Sequence, residues 1–176
     1  LWFSRNVEQC GVLYCIGEGH AGISRRADAW KRHYKPEHDA FVFRDGIPNF
    51  ALDPKKARIA IRKAVKTSNE MLAGRAKPPV GLVFIDTFAK AVAGADENSV
   101  REIQPILDML RQLAVELDVC IIIVHHSGKD SANGARGSSA IFADVDFNLE
   151  IVDHAGAKKR NIAIKQGHNA IIMPKM

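Results

Sequence analysis

Four short apolar runs punctuate this chain, and each consecutive pair is separated by a stretch long enough to hold a helix. The runs are Val12-Leu13-Tyr14-Cys15-Ile16, Ala40-Phe41-Val42-Phe43, residues 80–85, and Cys120-Ile121-Ile122-Ile123-Val124. Parallel strands cannot be joined by a tight turn; they need a crossover of about a dozen residues or more, usually a helix. The alternation of strand and helix therefore predicts an α/β fold built on a doubly wound parallel sheet flanked by helices. The run 120–124, apolar throughout, reads as a central strand covered on both faces.

The intervening segments carry helix signals. Residues 23–34 form the first, stopped by Pro36. Asp53-Pro54 pairs an N-cap with proline at the first helical position, and Ala57, Ile61, Ala64, Val65 and Leu72 follow at mainly helical spacing. Ser99-x-x-Glu102 is a capping box, followed by Ile103, Ile106, Leu107, Leu110, Leu113, Ala114 and Leu117 on one face. Pro105 lies inside that pattern, which predicts a late start or a bend. Beyond the sheet, residues 147–152 and 161–164 read as strands joined through a basic, glycine-containing turn, a C-terminal β-hairpin extension. Ile171-Ile172-Met173 adds an edge strand. With no linker or repeat, residues 1–176 read as a single domain.

Ligands of such sheets sit beyond the carboxyl ends of the strands, so polar residues placed where apolar runs stop are the candidates for chemistry. Asp86 ends one run, and a carboxylate there can hold magnesium through water with Thr87 assisting; it can equally cap the next turn. Glu18 follows another run between Gly17 and Gly19, which let the backbone approach a ligand and leave the carboxylate free to orient or deprotonate a water. A solvent-exposed turn residue is the plain alternative. His125 and His126 end the last run, where adjacent side chains point in opposite directions and only one easily faces a ligand. Such an imidazole can sense a γ-phosphate, or simply be satisfied by backbone. Zinc is disfavoured, because neither His-x-x-x-His nor a cysteine pair accompanies them.

Residues 127–139 hold three glycines and two cations, Lys129 and Arg136, with almost no apolar side chain. They read as a loop able to meet nucleic-acid phosphates, or as an inert surface loop. Gly128-Lys129-Asp130 is not the end of a phosphate-binding loop, and no Gly-x-x-x-x-Gly-Lys-Ser/Thr occurs in the 176 residues. Arg25, Arg26, Lys31 and Arg32 spread around the first helix as a solvated face. A net charge of +5 permits a DNA or RNA partner without requiring one. Cys10, Cys15 and Cys120 lack metal-ligand spacing and read as reduced thiols. No stretch approaches the roughly 18 apolar residues of a membrane helix, so a cytoplasmic protein without membrane partners is expected.

Taken in order, Glu18, Asp86, His126 and Arg136 resemble the RecA-like ATPase core of the RepA type, found in plasmid replicative hexameric helicases and in phage and mobile-element primase-helicases. The resemblance runs from about Trp2 to Gln166, and rests most on residues 12–19, Phe84-Ile85-Asp86-Thr87, 124–129 and 134–140. It implies a RecA-like P-loop NTPase core that hydrolyses ATP with Mg2+ while acting on DNA, the single-stranded form by expectation. Glu18 is then the catalytic glutamate, Asp86 the Walker B aspartate and His126 the sensor, with Gly17, Gly19, Thr87 and His125 lining the nucleotide site. Lys129 to Ser139 matches the DNA-facing loop. Such enzymes form homo-oligomeric rings with ATP between subunits and a trans-acting cation from the neighbour. Lys165 matches the first residue of the family's Lys-x-Arg, while Gly167 stands at the arginine position.

The family's Walker A strand, loop and helix precede the glutamate strand, and residues 1–9 resemble only the tail of that connection. An N-terminally truncated core, inactive alone, is therefore expected. A degenerate non-catalytic DNA-binding or assembly module and a recombination-mediator ATPase are the alternatives.

Overall fold

The computed structural model describes residues 7–36, 39–125, 141, 144–153, 160–166 and 169–173, with the backbone path alone from residue 150 onward. The chain divides into a unit spanning Gln9–Ser138 and a second formed by Leu1–Glu8 with Ser139–Met176.

The larger unit follows the predicted alternation: β1 (Gly11–Ile16), α1 (His20–Tyr34), β2 (Phe41–Asp45), α2 (Pro54–Ala73), β3 (Val80–Asp86), the single-turn α3 (Phe88–Ala91), α4 (Val100–Leu117) and β4 (Cys120–Val124). Its four strands form one sheet in the order β2-β1-β3-β4, every neighbouring pair parallel. This is the α/β parallel sheet flanked by helices that the sequence predicts.

Alternation along the strands sends Leu13 and Cys15 of β1 and Val83 and Ile85 of β3 to one face, where all four are fully buried. Burying a side chain of this size is worth about 1.5–3 kcal/mol, so this face is the main hydrophobic term of the unit. It is closed by α2 and α4. Helix α2 starts where Asp53 accepts a hydrogen bond from the Lys56 amide at 2.9 Å, with Pro54 at the first helical position. It turns Ala57, Ile61, Ala64, Val65 and Leu72 inward. Helix α4 turns in Ile103, Ile106, Leu107, Leu110 and Leu113. On their outer sides the two helices are joined by Glu116, which accepts from Arg58 at 2.8 Å and from Arg62 at 2.5 Å. Those guanidiniums, Arg62 first, hold the Glu116 carboxyl down to about 2.

The opposite face is different. It carries Tyr14, whose ring meets Phe43 on one side and Phe84 on the other; Tyr14 and Phe84 are part-buried and Phe43 is exposed. Helix α1 lies nearest through Trp30, whose ring meets Phe41 edge-on at 6.0 Å, and none of its residues is buried.

Several local expectations are corrected. Helix α1 begins at His20, three residues early, because Gly19 at φ 71° turns the chain into it without a capping side chain. Ser99 makes no side-chain cap to α4; instead Glu102 reaches back past it and accepts from the Asp96 amide at 2.9 Å. Helix α4 runs unbroken from Val100 through Pro105, so the proline delays nothing. The larger correction concerns β4. Among the described residues it pairs with β3 alone, at the sheet edge, and Ile121, Ile122, Ile123 and Val124 are only part-buried. Apolar composition reports a demand for cover, which the described residues meet only in part.

In the second unit, β5 (Asn148–Asp153), β6 (Arg160–Gln166) and β7 (Asn169–Met173) form an antiparallel sheet in that order. The hairpin and its added edge strand are thus present, each with slightly shifted ends. No helix among the described residues is long and apolar enough to cross a membrane.

An apolar edge strand that is paired on one flank only among the described residues is a template for pairing with another chain. The 176-residue chain is therefore expected to associate as its concentration rises, and Ile122→Lys to shift it toward monomer with its circular dichroism retained. Light scattering over a concentration series measures this; equal association by both proteins would show that the β4 edge is not the contact.

Candidate functional site

In the order β2-β1-β3-β4 the chain leaves β1 for β2 on one side and returns to place β3 on the other. The strand order therefore reverses between β1 and β3, and the crevice beyond their carboxyl ends is where an open α/β sheet offers a ligand site. The register Ile16↔Asp86 sets the two strand ends level, so the segments Gly17-Glu18-Gly19 and Asp86-Thr87 leave the sheet side by side.

Three hydrogen bonds stitch these ends together. The Gly17 amide donates to the Asp86 carbonyl, closing the backbone of the two strands. The Tyr14 hydroxyl donates to Oδ2 of Asp86. Thr87 Oγ1, on a residue only 2% exposed, donates to Oε1 of Glu18 at 3.4 Å. Each carboxylate is thus held by a hydroxyl from the other strand or its end. The peptide between Asp86 and Thr87 is cis.

Gly17 is needed for this closeness. A Cβ there would lie 2.6 Å from Ile47 Cδ1, 2.9 Å from the Asp86 carbonyl oxygen and 3.2 Å from Lys90 Cβ. Gly19, at φ 71°, turns the chain directly into α1 and leaves Glu18 exposed at the crevice. At the neighbouring strand end His20 Nδ1 pairs with Asp45, the last residue of β2.

Burial, and then the adjacent Asp86 carboxylate, push the Tyr14 phenol well above its ordinary pKa, so it stays a donor. Cys15, on the dry face below, is pushed up to about 11 by burial and is an inert thiol. Cys10 and Cys15 are free thiols.

Of the residues singled out from sequence, the structure brings together Gly17, Glu18, Gly19, Asp86 and Thr87. His125 follows β4 just past the level of Asp86, and its Nε2 lies 3.2 Å from Glu97 Oε2, with the ring against buried Phe88. Its imidazole is therefore already engaged. His126, Lys129 and Arg136 lie outside the described residues. Lys165 sits on β6, in register with Asn148 and Ala170. Sequence reasoning missed Tyr14 and Glu97. Tyr14 left a signal: it is the one hydroxyl in the apolar run 12–16, and a tyrosine taken into a strand usually brings its hydroxyl to a partner. Glu97 left none, being one acid among several in a polar connection.

Among the described residues no group of three or more His, Cys, Asp or Glu is placed to hold a metal on its own. What the crevice offers instead is hard oxygen: Asp86 Oδ1, which takes no hydrogen bond among the described residues, with Thr87 Oγ1 and Glu18 nearby. That set fits a magnesium ion bound through water by one or two carboxylates and completed by phosphate oxygens. It fits zinc poorly, for want of nitrogen or sulfur.

Residues 1–132 match the AAA domain family, a span covering most of the chain. Among solved structures, a KaiC-like protein from the hyperthermophilic archaeon Pyrococcus horikoshii OT3 is similar, with a TM-score of 0.56 at 16% identity. That alignment covers 94% of this chain and 68% of that one. No curated protein matches. Strand order, paired acidic strand ends and family match agree: the chain belongs to the AAA domain family, with the fold of a RecA-like ATPase core.

Proposed function

We propose that this chain is the ATP-hydrolysing core of a replicative helicase or primase-helicase that acts on DNA. The observation that carries the reading is the pair of carboxylates at the strand-order reversal. Glu18 is exposed and Asp86 part-buried, and each is tethered by its own hydroxyl donor. Two acids in such different surroundings suit different tasks. Glu18 is placed to take the proton of an attacking water, with Thr87 fixing its direction. Asp86 would hold magnesium through water. The ion, when bound, neutralises charge on the β- and γ-phosphates.

His126 is assigned the sensing of the γ-phosphate and Lys129 and Arg136 the contact with single-stranded DNA. A homo-oligomeric ring, with Lys165 reaching the neighbour's nucleotide, completes the proposal. A second reading is a non-catalytic DNA-binding or assembly module of the same fold; these 176 residues by themselves contain no Gly-x-x-x-x-Gly-Lys-Ser/Thr. Phosphoryl transfer depends on positioning and charge neutralisation, which that loop supplies, so these residues alone should turn over little ATP.

In the natural protein, Glu18→Gln is expected to lower the ATP turnover number by about 100-fold or more while ATP binding persists. Asp86→Asn should raise the magnesium requirement instead. Steady-state turnover across a magnesium series, with nucleotide binding measured separately, checks both; turnover unchanged in Glu18→Gln would remove Glu18 as the base, and no turnover in the unsubstituted natural protein would favour the module.

For the loop, Lys129→Ala combined with Arg136→Ala should flatten the salt dependence of single-stranded DNA binding. The log–log slope is expected to fall by about 0.7 for each phosphate that the protein no longer neutralises. Fluorescence anisotropy with a labelled oligonucleotide measures it, and an unchanged slope and affinity would take the loop out of the DNA interface.

A further inference from the structure

We propose that Tyr14 is a positioning residue for the metal-holding carboxylate: it binds one oxygen of Asp86 and so presents the other to the ion. The inference rests on the reading of Asp86 as the magnesium residue, and adds to that reading a group outside the acidic pair.

The geometry follows from the β1–β3 ladder. Tyr14 stands opposite Phe84 and Ile16 opposite Asp86, so Tyr14 and Asp86 lie on one sheet face as diagonal neighbours. Diagonal partners on adjacent strands are about 7–8 Å apart at the backbone, a gap that an aromatic side chain can span. The ring is fixed before the hydroxyl reaches its acceptor. It stacks on Phe84 at 5.3 Å with an interplanar angle of 23°, and meets Phe43 of β2 at 6.1 Å, tilted by 55°. Held from both flanking strands, the phenol delivers its proton to Oδ2 of Asp86 and nowhere else among the described residues.

A carboxylate with two free oxygens can rotate about its terminal bond and offer either one. With Oδ2 occupied by the phenol, rotation breaks a hydrogen bond, and Oδ1 is the oxygen left for a metal-bound water. Partners of this kind, one step behind the metal, typically matter by about 10–100-fold in metal affinity. Thr87 makes the corresponding bond to Glu18 at 3.4 Å, to an exposed acceptor, whereas Asp86 is part-buried.

The test is Mn2+ binding to the natural protein in the presence of ATP, read from the loss of the free-ion signal in electron paramagnetic resonance. Tyr14→Phe keeps the ring and removes the hydroxyl, and is expected to weaken Mn2+ binding about 10-fold. Tyr34→Phe, which removes an exposed hydroxyl at the far end of α1, should leave it unchanged, and Asp86→Asn should weaken it by more than Tyr14→Phe does. Equal affinity in Tyr14→Phe and the wild type, with loss in Asp86→Asn, would overturn the role of Tyr14 alone. Absence of ATP-dependent Mn2+ binding in the wild type would overturn the metal reading beneath it. A measurement without substitution covers the case in which Tyr14→Phe does not fold. With tyrosine Cζ labelled, Mn2+ and ATP should broaden the Tyr14 resonance while exposed Tyr34 stays sharp, and equal response of the two would count against the proposal.

Discussion

Everything at the candidate site depends on the parallel register of β1 against β3. Setting Ile16 level with Asp86 makes two chain segments, far apart in sequence, leave the sheet at the same height. The amide of Gly17 can then reach the Asp86 carbonyl, and the side chains can cross-brace. A slip of one residue would send Tyr14 and Asp86 to opposite faces, because side chains alternate along a strand. The register is itself held by the buried face, where Leu13, Cys15, Val83 and Ile85 are fully enclosed under α2 and α4. Packing on one side of the sheet thus fixes chemistry at its end.

The sheet is unequal on its two sides. Below, aliphatic side chains interlock with two amphipathic helices tied together by Glu116 and two arginines, an exposed cluster that adds little to stability by itself. Above, aromatic rings from three strands touch one another in an open row, and α1 contributes no buried residue. The phenol that serves Asp86 belongs to this upper row. Its environment is therefore apolar on the ring faces and polar at the tip, the usual station of a tyrosine that is half taken in.

Much of this was legible in the sequence, and for physical reasons. Apolar runs spaced by crossover-length segments dictate a parallel sheet, and the acids that end two of those runs had to gather at one rim. The Asp53-Pro54 helix start was readable because both residues act through their immediate neighbours. What was not readable is what depends on lateral order. The run 120–124 looks central by composition but lies at the edge, since composition says nothing of which strands are adjacent. Ser99 and Glu102 have the spacing of a capping box, yet the carboxylate finds a nearer amide at Asp96. His125 carried a functional expectation that spacing could not weigh against a Glu97 arriving from another connection. Tyr14 was hidden inside an apolar run because its partner lies 72 residues away.

The order β2-β1-β3-β4 has a kinetic side as well. The strand that leads to Glu18 and the strand that ends on Asp86 are the two interior ones, each hydrogen-bonded on both flanks, while β2 and β4 are each held on one flank among the described residues. Local opening of a protein follows such differences, with singly held elements separating before doubly held ones. Amide hydrogen exchange should accordingly be slowest along Leu13–Cys15 and Val83–Ile85 and faster in 120–124. The acidic rim would then be anchored in the last part of the molecule to open, while the strand leading to the histidines can loosen and reclose without disturbing it.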